Sequence, residues 1–81
     1  MKLLRIGTNE NVVCFDNGTE VLFSYSMPVA GKRFVDDALQ IFKTDKKWSV
    51  TTSKHINRYL KTFNAEAVVL PQEEIDALQP N

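Results

Sequence analysis

Between residues 43 and 61 the chain carries Lys43, Lys46, Lys47, Lys54, Arg58 and Lys61 against one acid, Asp45. Inside that segment, Trp48-Ser49-Val50-Thr51-Thr52-Ser53-Lys54-His55 holds four hydroxyls, a Lys, a His and no acid. The first turn of a helix ordinarily attracts Asp or Glu, because the positive end of the helix dipole sits there. A helix start without acids leaves its backbone N–H groups to another anion. Amides, hydroxyls and a cation aimed at one place make an anion site. Lys46 and Lys47 can add phosphate contacts, and Trp48 a surface for a base to stack on. The expected contact set is Lys46, Lys47, Trp48, Thr51, Thr52, Ser53, Lys54, His55, Arg58 and Lys61. The expected partner is a nucleic acid or another phosphate-bearing molecule. Blander readings stand beside it. Ser and Thr cap helices whatever the function, a basic stripe is ordinarily a solvated face, and a Trp in a small domain is ordinarily core.

Other chemistry is thinly supplied. His55 is the single imidazole, so no His-based metal cluster is expected. Cys14 reads as a buried strand residue, and a Cys14–His55 pair needs the fold to bring the two together. Asp36-Asp37 is a carboxylate pair, but neighbours in a turn point apart. No glycine-rich phosphate loop is present. The sequence therefore predicts no catalytic residues, no metal and no cofactor.

The elements that position this segment follow from periodicity. Leu4 and Ile6 alternate around Arg5, and Val13 and Phe15 alternate with Val12 and Cys14. Thr8-Asn9-Glu10-Asn11 reads as a turn. Asn17-Gly18 lies between apolar runs and predicts a hairpin with a type I′ turn. Val21, Phe23, Tyr25 and Met27 then share one face, with Leu22, Ser24 and Ser26 on the other, which predicts a strand over 21–27. Pro28 ends regular pairing or marks an edge. Ala30-Gly31-Lys32 reads as a bend, Asp36-Asp37 as a turn and 38–43 as a strand. Ile56, Tyr59, Leu60 and Phe63 at i, i+3, i+4 and i+7 predict an amphipathic helix over about 52–63. Thr51 or Thr52 would cap it and Asn64 would stop it. A short strand over 66–70 follows, then a short helix from Pro71 with Ile75 and Leu78 as its apolar contacts. The tail 79–81 should fray. This is a single α+β domain: a small antiparallel sheet of three to five strands, one main helix packed on it and a short C-terminal helix.

Length and charge bound the function. Eighty-one residues make one domain, which buries roughly 60% of its unfolded surface. That leaves little volume for an enclosed substrate pocket and favours a module that works by its surface. The longest apolar runs are four residues, too short to cross a membrane, and no signal peptide is apparent. Ten basic and ten acidic residues give zero net charge, which excludes a uniformly basic protein. The zero conceals a split: −1 over 1–42, +5 over 43–61 and −4 over 62–81. The acidic end can leave the basic segment exposed or cover it.

Two stretches carry a resemblance. Ser24-Tyr25-Ser26-Met27-Pro28-Val29-Ala30 and Lys47-Trp48-Ser49-Val50-Thr51-Thr52-Ser53-Lys54-His55-Ile56 resemble a family of small tailed-phage proteins. Its members read SYxTPVA, a short hairpin, then K-aromatic-S-x-T-T-S-K-H-I. This chain departs from the pattern at Met27 and in the longer insert 31–38. The resemblance implies a phage-type protein working in the cytoplasm of an infected host, and a helix start that the family keeps. It attaches no mechanism. The alternative to a nucleic-acid partner is a host or phage protein, as for an inhibitor of a host defence protein. A homodimer through an exposed strand edge near Pro28 is a further expectation.

Overall fold

A computed structural model describes residues 2–7, 9–63 and 66–78. The expected turn residue Thr8, the helix stop Asn64 and the tail 79–81 lie outside the described residues. The order of elements is β1 (Lys2–Gly7), β2 (Glu10–Cys14), β3 (Glu20–Ser24), β4 (Met27–Val35), β5 (Ala38–Thr44), α1 (Val50–Lys61), β6 (Val68–Leu70) and α2 (Gln72–Asp76). The α+β expectation holds, but the sheet is larger than expected and mixed. Its six strands lie in sequence order, β1 to β5 antiparallel and β6 parallel to β5. A parallel neighbour requires a crossover, and α1 supplies it.

Cross-strand partners share a face. Val12, Leu22 and Ala30 are aligned across β2, β3 and β4, and with Val29 they meet Ile56 and Tyr59 of α1. Leu60 and Phe63 pack at the margin of that cluster, so the expected apolar stripe of the helix is the one that docks. On the opposite face Val21 and Phe42 meet Leu70 and Ile75, with Leu78 against them. The two helices thus lie on opposite faces of the sheet. Phe42 packs over Gly31 of β4, where a Cβ would sit 2.1 Å from the Glu20 carbonyl oxygen and 2.7 Å from the Phe42 ring. Ala30-Gly31-Lys32 is therefore strand interior and not a bend: the missing side chain makes room for a ring, not for a turn.

The turns differ from expectation in instructive ways. Phe15 and Gly18 close a turn in which only Gly18 has positive φ, at +90°. This is a three-residue loop ending in a glycine bulge, not a type I′ turn. The two-residue loop with positive φ at both positions is Asp36-Asp37, at 51° and 65°. The strand expected over 21–27 ends at Ser24, because Tyr25 (φ 58°) starts a tight turn into β4. Pro28 lies in β4, opposite Phe23, where the β3–β4 register shifts. A bulge tolerates the missing N–H, so Pro28 interrupts pairing but marks no edge. The sheet edges are β1 and β6. Helix α1 begins two residues earlier than expected, and Ser49 is its cap, its hydroxyl accepting from the Thr52 N–H.

Candidate functional site

The residues expected to form one anion site divide between two sides of α1. On the inward side, Thr52 and His55 are buried. Ser24 Oγ, 1% exposed, lies 2.8 Å from His55 Nδ1 and 3.0 Å from Thr52 Oγ1. His55 Nε2 is 3.1 Å from Glu10 Oε1, and the same oxygen accepts from Arg58 Nη1 at 3.0 Å. The Ser49 hydroxyl donates to Thr52 Oγ1 at 3.2 Å.

One assignment of protons satisfies the whole row. With the ring hydrogen on Nε2, His55 donates to the Glu10 carboxylate and Nδ1 accepts from Ser24. Ser24 then accepts from Thr52, and Thr52 from Ser49. The hydrogen bonds run in one direction from the helix cap to a carboxylate, and no member is orphaned. Buried polar groups need that satisfaction. The row pins β2, β3 and α1 together. A Ser, a His and a Glu in sequence of contact have the membership of a nucleophilic triad. Here the serine oxygen is buried with Thr52 as its second neighbour, which gives an electrophile no approach.

The outward side is different. An open cleft of about 230 Å³ lies between the end of β5, the loop after it and the first turns of α1. Lys43, Lys46, Lys47, Asp45, Ser53 and Asn57 line it. Asp45, the one acid of the segment, lines the cleft and also reaches α2: its Oδ1 accepts from the Gln72 backbone N–H at 3.2 Å. Trp48 is 41% exposed and its Nε1 donates to Gln72 Oε1 at 3.3 Å. The Lys46 ammonium stands 5.2 Å from the Trp48 ring centroid. Gln72 is itself fixed, accepting from Thr44 Oγ1 at 2.6 Å and donating to the Pro28 carbonyl at 2.7 Å. The indole is thereby held with part of its surface open.

Among the described residues, Lys43, Lys46, Lys47, Lys54 and Lys61 form no ion pair. Two of the three acids of α2 are engaged elsewhere. Glu74 pairs with Arg33 at 3.2 Å, and Asp76 accepts from Gln72 Nε2. Among the described residues, α2 packs on the sheet face opposite α1, and none of its acids pairs with a lysine of the basic segment. Thr51, Lys54 and Lys61 are exposed and Ser53 faces the cleft. Arg58 is exposed along its length but spends its charge on Glu10.

Cys14 and His55 are not brought together. Cys14 Sγ donates to Glu20 Oε2 at 3.6 Å. Burial, and then the neighbouring Glu20 charge, push its thiol above the usual range. Glu20 also accepts from the Tyr59 hydroxyl at 2.8 Å. Burial and that carboxylate hold the Tyr59 phenol well above its ordinary range. Among the described residues no three His, Cys, Asp or Glu side chains gather as metal ligands, and no helix is long and apolar enough to cross a membrane.

Sequence reasoning missed Glu10, Ser24, Lys43, Asn57 and Gln72. Ser24 and Glu10 read as polar members of strands and turns, and nothing local says that a helix lands on them. Lys43 was legible as part of the charge run but not as a wall of the cleft.

One family model, described as a family of unknown function (DUF8033), matches residues 1–77. No curated protein and no solved structure matches the chain.

Proposed function

This chain belongs to that family of unknown function, and we propose that it is a non-enzymatic binding module whose basic cleft takes a nucleic acid or another phosphate-bearing partner. One observation carries the reading: Lys43, Lys46 and Lys47 line one open cleft in which Asp45 is the single acid, so the lining keeps a net positive charge. Among the described residues the three ammonium groups form no ion pair; they repel one another, and an anion relieves that repulsion. Ser53 and Asn57 supply neutral hydrogen-bonding groups beside them. Trp48, held by Gln72 and part exposed, gives a base a face to stack on. Lys54 and Lys61 extend the positive field along the outer side of α1. Thr52 and His55 belong to the buried row and take no direct part. The resemblance to small tailed-phage proteins fits a partner met in the cytoplasm of an infected bacterium.

The test is fluorescence anisotropy of labelled single- and double-stranded DNA and RNA at low salt, followed by a salt titration. Binding through three phosphates predicts a log–log slope of about −2 to −3. Absence of binding to all four probes at low salt ends this reading.

A second reading rests on a different surface. Leu3, Val13, Phe23 and Tyr25 line an open, largely apolar groove of about 340 Å³ on the sheet face that α2 leaves bare. Such a surface fits a protein partner, as in an inhibitor of a host protein. A host-lysate capture that survives nuclease, and is lost in Phe23→Lys but kept in Lys46→Glu, selects this reading over the first.

A further inference from the structure

Trp48 is the single tryptophan of the chain, and its ring is part exposed. An indole N–H at a surface can donate to water. Here a buried glutamine takes that bond instead. Gln72, 5% exposed, opens α2, which packs on the sheet face opposite α1. Its Oε1 accepts from Trp48 Nε1 and from Thr44 Oγ1, and its Nε2 donates to the Pro28 carbonyl and to Asp76 Oδ1. The indole can only donate and the Pro28 carbonyl can only accept, so the amide has one orientation. Both its lone pairs and both its hydrogens are used. Thr44 Oγ1 in turn accepts from the Lys46 N–H at 3.1 Å, and the Asp45 N–H donates to the Leu70 carbonyl at 2.9 Å. The loop from Thr44 to Trp48 and the indole are thus set in one frame. A buried side chain devoted to the placing of a part-exposed ring points to a use for the open part of that ring.

We infer that the basic cleft takes unpaired strands of nucleic acid with a base stacked on Trp48, and that Gln72 is the positioning residue for the indole. This rests on the phosphate reading of the cleft and names its partner class. Lys46 joins the two parts: it lines the cleft, and its ammonium stands 5.2 Å from the indole centroid. A phosphate held at Lys46 brings the attached nucleoside beside the ring. In a duplex each base is stacked on its neighbours and offers only its edges, in the grooves. An unpaired base offers its face. Stacking on an aromatic side chain is worth about fivefold to a hundredfold in affinity per base. Charge alone gives the opposite order. A duplex carries about twice the charge of a single strand per unit length, so lysines that met phosphates only would favour the duplex. A preference for single strands therefore has to come from the ring.

Fluorescence titration of the intact chain tests it, with Trp48 as the built-in reporter. The probes are oligothymidylate, oligouridylate, DNA and RNA duplexes of the same length, and an abasic strand that keeps the phosphates and lacks the bases. At low salt the single strands should bind at least about fivefold tighter than the duplexes and the abasic strand, and should quench Trp48 emission. The tighter of the two homopolymers identifies the sugar. Trp48→Ala should erase the preference for single strands. Gln72→Leu should erase it too and lower the emission anisotropy of Trp48, because the ring is released. A merely structural role for Gln72 would lower stability and leave the preference unmoved. The unmodified chain carries the test should either variant fail to fold. Duplex or abasic binding as tight as that of the homopolymers overturns the inference and leaves the phosphate reading standing. So does binding without a change in Trp48 emission, or a preference that survives Trp48→Ala. A preference kept in a folded Gln72→Leu overturns the positioning role. Binding to none of the probes removes the phosphate reading itself, and this inference with it.

Discussion

The two sides of α1 carry similar residue types and do opposite work. Inward, Thr52 and His55 are each within hydrogen-bond reach of a buried group on the sheet. Outward, Lys54 and Lys61, with Lys43, Lys46 and Lys47 beside them, form no ion pair among the described residues. The difference is solvation. A polar group under the helix loses water and must find a protein partner. A lysine on the outer side keeps its water and needs none, so its charge stays available. The inward side is thus read in stability, and the outward side in binding.

Changes that break this division should separate the two readouts. The largest effect is expected at Glu10. Glu10→Ala leaves His55 Nε2 without its acceptor and should cost about 3 kcal/mol in urea unfolding. A cost within 0.5 kcal/mol would mean that the row does not hold the helix. Next, Lys46→Glu with Lys47→Glu should weaken oligonucleotide binding at least tenfold, about 1.4 kcal/mol, and leave the unfolding midpoint nearly unchanged. Equal losses in both readouts would erase the distinction between the sides.

Tyr59 sharpens the inward side by pH. Its phenol is raised in the fold, so the protonated form is the one folding favours. The stability it contributes is whole below the unfolded value of about 10 and falls as pH rises beyond it. Unfolding midpoints should drop above about pH 10, and Tyr59→Phe should flatten that drop while costing about 1.5 kcal/mol at neutral pH. The smallest effects test the helix start. Ser49→Ala should cost about 1 kcal/mol through the lost cap, whereas Thr51→Ala, at an exposed position, should stay within about 0.5 kcal/mol.

Much of the local structure was legible in the residues. Ile56, Tyr59, Leu60 and Phe63 marked the docking face of α1, because a period of 3.6 is a local property. The glycine turn at 18, the turn at 36–37 and the start of α2 near Pro71 were legible for the same reason. Ser49 as cap was not, since three neighbouring hydroxyls compete for the role and only the docked helix selects one. The reach of β4 through Pro28 and Gly31 was hidden too. Both residues usually end strands, and here the first sits in a bulge and the second lies under Phe42.

For the candidate site, the sequence by itself determined that positive charge concentrates over 43–61 and that the helix start there lacks acids. It could not determine which of those residues face water. Ser24 and His55 are 31 positions apart, and Gln72 reaches Thr44 and Pro28 from the far end of the chain. Only the packing of two helices on opposite sheet faces decided that Thr52 and His55 turn inward and that Asp45 turns to α2. That same packing left the lysines of the segment without an ion pair among the described residues. Charge composition is additive along a chain, whereas burial is a property of the assembled fold.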